Sequence, residues 1–322
     1  MRLWTWAVPV SLLAGAAAGL YLTRPGPALP ADLAGVLVYV SDRSGRDSLY
    51  ARRLPAGDDR RLTHLFEPVA EPAVSPDGRT VAFTMGGRLG LVSLESGDVR
   101  FPTLGIDWRD ASPSWSPEGT RLVVAARRPG DPNADLHLLT LEAGGRGAAR
   151  RPLTQSRGID ESAPAFAPAG SGIAFVRTEN VFRLDLQDGR TRRLTGGLRG
   201  ARAPRFLPSG RVVYLWSEAK RFGIDVVDAD GRNRRTLSEG QAYYHGLAPS
   251  PDGRWFAAGL GFDLGFRPLD ALRLGPSGVV RILDEQGRVA GELAPPWRRS
   301  NHSPTWGAAA GSGPPALGTA TP

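Results

Sequence analysis

The sequence predicts an all-β fold, a six-bladed β-propeller closed by pairing of its C-terminal strand with its N-terminal blade. Three observations carry this. Gly (41) and Pro (28) make up about a fifth of the 322 residues, and both break helices and favour turns. A seven-residue phrase recurs five times, as PAVSPDG (72–78), PSWSPEG (113–119), PAFAPAG (164–170), PRFLPSG (204–210) and LAPSPDG (247–253). Its second prolines, at 76, 117, 168, 208 and 251, stand about 44 residues apart, the length of one four-stranded blade.

The elements follow in chain order. Residues 1–23 are a signal peptide or a membrane anchor, in either case one N-terminal hydrophobic helix. No charge interrupts Leu3 to Thr23, with Arg2 before and Arg24 after. The length suits a spanning helix, and Trp4, Trp6 and Tyr21 suit its two interfacial belts. The small residues Ala16-Ala17-Ala18 suit a cleavage site equally. Both readings place the rest of the chain outside the cytoplasm, in the cell envelope. RPGPALPADL (24–33) reads as an extended linker.

The propeller spans 34–306. Each Pro-x-Gly makes a tight turn, because Pro presets φ and Gly accepts a positive φ. A strand follows each turn: TVAFTM (80–85), RLVVAA (121–126), GIAFVR (172–177), RVVYLW (211–216) and WFAAGL (255–260). A third strand comes next, as in LGLVSL (89–94) or LHLLTL (136–141), then a turn and a short polar fourth strand such as RRPLT (150–154) or RRLT (192–195). At the start, VLVYVS (36–41), SLYARRL (48–54) and DRRLT (59–63) supply three strands of a blade with no innermost strand before them. Pro304-Thr305-Trp306 opens an innermost strand with no blade after it. The two fragments complete each other, and closing the ring removes an exposed sheet edge. Residues 307–322 read as a disordered tail.

Composition excludes several classes. With no cysteine, disulfides, thiolate zinc sites and cysteine nucleophiles are out. Four histidines leave little for a multi-His metal site. The net charge is +8 without a concentrated basic run, so no nucleic-acid partner is expected. Arg pairs at 60–61, 150–151, 192–193 and 234–235 recur on the fourth strands, where edge charge discourages sheet-to-sheet association.

The repeated Pro-x-Trp-Ser-Pro-(Asp/Glu)-Gly, best preserved at 113–119 and 72–78, with Arg-Arg-Leu-Thr closing the unit before it, resembles the repeat of TolB-like β-propellers (WD40-like, TolB-type) of bacterial envelope proteins. The resemblance covers residues 34–306. It implies the propeller fold, whereas related propellers serve peptidases, carbohydrate-active proteins and sensors alike. TolB carries an α/β domain ahead of its propeller; residues 1–33, read as membrane segment and linker, are not similar to it.

Candidate site residues cluster where innermost strands begin. Asp110, Glu161 and Asn301 each stand three residues before a first-strand proline, at one end of the central channel, where they either bind a ligand or cap their own loops. Tyr244 and His245 precede the fifth first strand, and His302 holds a similar place in the closing strand. The insert 261–278 carries Phe262 and Phe266, which need a partner or a neighbouring loop to cover them. Asp131-Pro132-Asn133-Ala134-Asp135 opens like a calcium loop, but Leu136 stands where Gly must turn. No Gly-x-Ser-x-Gly elbow occurs. Neither a metal nor a cofactor is expected. The expected function is a non-enzymatic binding module of the envelope, a monomeric propeller recognising a protein or glycan through its face loops and attached to the membrane by its N-terminal segment. The alternatives are a polysaccharide-acting enzyme using channel carboxylates and a ligand-sensing propeller.

Overall fold

The computed structural model describes residues 28–103, 107–197, 199–240, 243–261, 278–293 and 301–309. The expected N-terminal helix, Phe262 and Phe266 of the long insert, and the tail from 310 onward lie outside the described residues.

Every described regular element is a strand. They run β1 (Val36–Ser41), β2 (Ser48–Arg53), β3 (Asp59–Arg61), β4 (Val69–Val74), β5 (Thr80–Met85), β6 (Arg88–Ser93), β7 (Val99–Arg100), β8 (Arg109–Trp115), β9 (Arg121–Arg127), β10 (Asp135–Leu141), β11 (Ala148–Pro152), β12 (Glu161–Phe166), β13 (Gly172–Arg177), β14 (Asn180–Asp185), β15 (Thr191–Arg193), β16 (Gly200–Phe206), β17 (Val212–Glu218), β18 (Arg221–Val227), β19 (Arg235–Gly240), β20 (Tyr243–Pro249), β21 (Trp255–Gly261), β22 (Val279–Asp284), β23 (Val289–Leu293) and β24 (Asn301–Gly307). Five blades are consecutive four-stranded antiparallel meanders, β4–β7, β8–β11, β12–β15, β16–β19 and β20–β23. The sixth is ordered β24-β1-β2-β3, so the last strand supplies the innermost strand of the blade that the chain began. The register pairs Leu37 with Trp306 and Ser41 with Asn301.

The recurring phrase builds the turn its chemistry predicts. In Ser75-Pro76-Asp77-Gly78 the Gly78 N–H donates to the Ser75 carbonyl at 2.9 Å, and Gly78 has φ 67°. The Asp77 carboxylate accepts from the Arg79 amide at 3.0 Å. Ser250 and Asp252 repeat the arrangement. The threonine of Arg-Arg-Leu-Thr has a role of its own: Thr63, Thr154 and Thr195 each accept the N–H of a third-strand residue, Leu49, Leu136 and Val181, at 2.8–2.9 Å. The second arginine of two pairs locks the same corner, with Arg61 Nε on the Thr63 carbonyl and Arg193 Nε on that of Thr195.

Six apolar clusters fill the six gaps between blades. Val38 and Val40 face Phe83 and Val92, while Leu37 and Tyr39 of the same strand face Val280 and Ile282 on the other side. Alternation with a period of two thus buries both faces of β1, which is why the second strands read as unbroken apolar runs. Each buried Leu, Val or Phe contributes about 1.5–3 kcal/mol. Leu29 and Leu33, from the expected linker, pack against the cluster holding Leu293 and Trp306.

Candidate functional site

The innermost strands line a central channel, and each breaks its ladder beside the channel with a bulge. The residue just before the first-strand proline is left-handed in five blades: Glu71 (φ 53°), Ser112 (50°), Ala163 (49°), Ala203 (45°) and Ser303 (48°). The register shifts at the same places. Such a backbone costs on the order of 1–2 kcal/mol in a non-glycine residue, and a bulge re-aims the side chains around it. The blade that begins at β20 has Leu247 where the others have proline, and its shift falls between Tyr244 and Gly246.

The bulges set which residues reach the channel. On the face where innermost strands begin, a cavity of about 280 Å³ opens, and all six blades contribute to its wall. Its polar lining includes Glu71, Ser112, Arg202, Arg205, His245 and Ser303. Without a bulge, Arg202 and Arg205 would point to opposite sides of β16; the left-handed Ala203 between them turns both inward. The residues three before each proline are absent from this wall.

At the rim stands an aromatic and cationic cluster. Arg202 Nη1 donates to the Tyr243 hydroxyl at 2.6 Å, and its guanidinium lies 4.6 Å from the centre of that ring. Tyr243 meets Phe222 edge to face at 5.1 Å and His245 at 4.8 Å. Burial in the mouth, helped by the charges of His302 and Arg202, holds the His245 imidazole below its usual range. His302 Nε2 lies 3.7 Å from Asp47 Oδ1, and its Nδ1 is 3.1 Å from Ser303 Oγ.

The structure places Asp110, Glu161 and Tyr244 inside the protein. Asp110 is 3% exposed, and both its oxygens accept from Arg150 Nη2, at 2.7 and 2.9 Å. Burial pushes its carboxyl up, against the pull of Arg150 and Thr103. Glu161 has no exposed surface and accepts from Ser156 Oγ at 2.8 Å, Arg177 Nε at 2.9 Å and the Thr154 hydroxyl. Tyr244 belongs to the apolar cluster between the blades that begin at β16 and β20. Asn301 pairs with Ser41 in the closing strand. Asp131 caps its own loop, accepting from the Asn133 amide, and Asp135, at the start of β10, accepts from the Ser156 amide in the segment between β11 and β12. No group of three His, Cys, Asp or Glu able to hold a metal exists among the described residues.

Sequence reasoning missed a second polar cleft, about 490 Å³, beside Trp108. Arg128 and Arg150 both lie over that ring, 5.1 and 4.9 Å from its centre, with the His137 ring 4.5 Å away. Burial, followed by the charges of Arg150 and Arg128, pushes His137 down to about 4.

The profile of the TolB beta propeller domain matches residues 91–257, just over half of the chain. The chain belongs to the TolB beta propeller domain family. Its TolB-type propeller is similar to that of the protein TolB homolog of Chlorobium luteolum, 35% identical over 162 residues, covering 48% of this chain and 35% of that protein. A second TolB homolog, from Chlorobium chlorochromatii, is 31% identical over 44% of this chain and 30% of its own length. The match therefore spans about a third of each of these curated relatives. Among solved structures, TolB from Acinetobacter baumannii superposes with a TM-score of 0.69 at 18% identity, covering 91% of this chain and 71% of that one. An oligogalacturonate lyase in complex with manganese shares the fold at a TM-score of 0.56 and 13% identity, over 82% of this chain and 77% of its own.

Proposed function

We propose that this TolB-type propeller is a non-enzymatic binding module of the cell envelope that recognises a protein through the channel mouth where its innermost strands begin. Arg202, Tyr243, His245 and His302 are its anchors. The observation that carries this reading is the makeup of that mouth, a cavity walled by all six blades with an Arg–Tyr–His cluster at its rim. Arg and Tyr are the side chains that most often dominate protein interfaces. Curated relatives named as TolB homologs support an envelope location, and the apolar segment 3–23 supplies the membrane address. The glycan-cleaving alternative calls for two free carboxylates across a substrate, whereas Asp110 and Glu161 each hold an internal arginine.

The test is a pull-down of tagged full-length protein from solubilised native membranes, with co-purifying proteins quantified by mass spectrometry. One protein is expected at near-equal stoichiometry, reduced tenfold or more by Arg202→Ala or by Tyr243→Ala with His245→Ala. Deleting 262–277 reports whether the insert joins the same interface. Recovery of no protein, or of one indifferent to the rim substitutions, would overturn the reading.

A further inference from the structure

Beyond the rim lies a second cavity of about 300 Å³ on the side of the Pro-x-Gly turns, and Arg205 lines both cavities. Among the described residues Arg205 is the single charged one on this second wall; the rest is mostly proline, alanine and tryptophan, including Pro72, Pro113, Pro249 and Trp306. Its guanidinium is poorly satisfied. The hydrogen bond it makes runs from Nη1 to the carbonyl of its own neighbour Pro204, at 2.9 Å. Among the described residues no carboxylate approaches it within ion-pair distance. The acid whose charge acts on it, Glu71, is engaged elsewhere: its oxygens accept from the Ser112 amide and hydroxyl, at 2.9 and 2.8 Å, and from Thr84 Oγ1 at 2.9 Å. Burial pushes the Arg205 guanidinium below its usual range, with Glu71 opposing. A cation enclosed this way gains more from an anion than an exposed arginine does.

Of the three described hydroxyl residues on the same wall, Ser75 already donates to Asp77, and Ser114 and Thr305 complete the donor set. Thr305 Oγ1 accepts the Val74 N–H at 3.3 Å, and Ser114 Oγ accepts the Phe166 N–H at 3.1 Å. Each bond zips one innermost strand to the next and uses an oxygen lone pair, which leaves the hydroxyl proton to donate. One fork-shaped cation and two O–H donors, framed by apolar side chains, match a planar monoanion with an apolar flank. A dianionic phosphate would call for more positive charge than one guanidinium brings.

We infer that the inner channel is a binding site for a carboxylate, held by Arg205 with the hydroxyls of Ser114 and Thr305. The inference stands apart from the partner reading, because a small carboxylate can enter from the turn face whether or not a protein docks at the opposite mouth.

The probe is butyrate, with butanamide as its neutral counterpart, titrated onto the purified full-length protein by ligand-observed NMR. Butyrate is expected to bind in the millimolar range and butanamide at least tenfold more weakly. Arg205→Met should lower butyrate affinity tenfold or more, Arg205→Lys should retain part of it, and Arg190→Met, on the exposed rim of another blade, should leave it unchanged. Circular dichroism checks that each variant folds. Should Arg205→Met fail to fold, Arg205→Lys and the butyrate–butanamide comparison on the unmodified protein decide the matter. Equal affinity for the two probes, no saturation by 50 mM butyrate (about fiftyfold above a 1 mM Kd), or a folded Arg205→Met that binds as before would each overturn the site. Because the pull-down reads a different face and different side chains, either proposal can fail while the other stands.

Discussion

Glu161 shows what a buried charge does in this fold. It has no solvent contact, and Arg177 and two hydroxyls surround it. Removing one member of such a pair strands the other, at a cost of about 3–5 kcal/mol. Glu161→Gln is therefore expected to lower unfolding free energy by that order in a urea titration, and Glu161→Gln with Arg177→Met to recover a good part of it. A loss within about 0.5 kcal/mol, the scale of ordinary surface changes, would show that the pair is not holding the corner. His137 makes a pH prediction. In the fold its imidazole titrates near 4, against an ordinary 6.5, so the folded state prefers it neutral. Between these values the unfolded chain binds more protons, and stability falls as pH drops from 6.5 towards 4. At roughly 1.4 kcal/mol per pH unit, the loss reaches on the order of 3 kcal/mol. His137→Phe should flatten that part of the stability profile; an unchanged slope would assign it to other groups.

At the scale of the strand, the bulge before each first-strand proline is the organising device. Ala203→Gly relieves a left-handed alanine (φ 45°) and is expected to be neutral or stabilising by up to about 1 kcal/mol. Ala82→Gly, in a buried strand with no such strain, should instead destabilise by a comparable amount. If both substitutions destabilise equally, the bulge carries no strain. The same device explains how far the site was legible from sequence. Blades, turns and closure follow from local rules: prolines and glycines mark turns, and period-two apolar runs mark strands. The channel wall does not, because a bulge reverses which side of the strand a residue faces. Counting three residues back from each proline led to Asp110 and Glu161, which point into the blades. The residues that reach the channel stand one or two before the proline, as Glu71, Ser112 and Arg202 do, or before the leucine that replaces it, as His245 does, or one after the proline, as Arg205 does. A Pro-preceding residue repeated in five blades was the available signal, but its left-handed backbone is a tertiary outcome that propensity does not reveal. Arg205 was hidden inside the recurring phrase itself, as the x of Pro-x-Phe.

At the scale of the whole ring, stability depends on a strand that arrives last. The Trp306 indole donates to the Ala34 carbonyl at 2.9 Å, and its ring joins the cluster between the closing blade and the blade that begins at β20. Trp306→Ala is expected to cost about 3–5 kcal/mol and to expose the closure to protease, whereas Phe66→Ala, at a side chain 92% exposed, should cost almost nothing. Limited proteolysis with mass mapping reads both; equal resistance of the two variants would mean that the ring does not hinge on this contact. Because β1 must wait for β24, a chain leaving the ribosome or a translocation pore builds five complete meanders while its first blade still lacks an inner strand. A product cut short before residue 301 has no smaller ring to fall back on. It keeps an unpaired strand at β1, the kind of edge on which other chains template. Completion is thus checked by the fold itself: only a chain delivered through β24 covers the inner edge of β1.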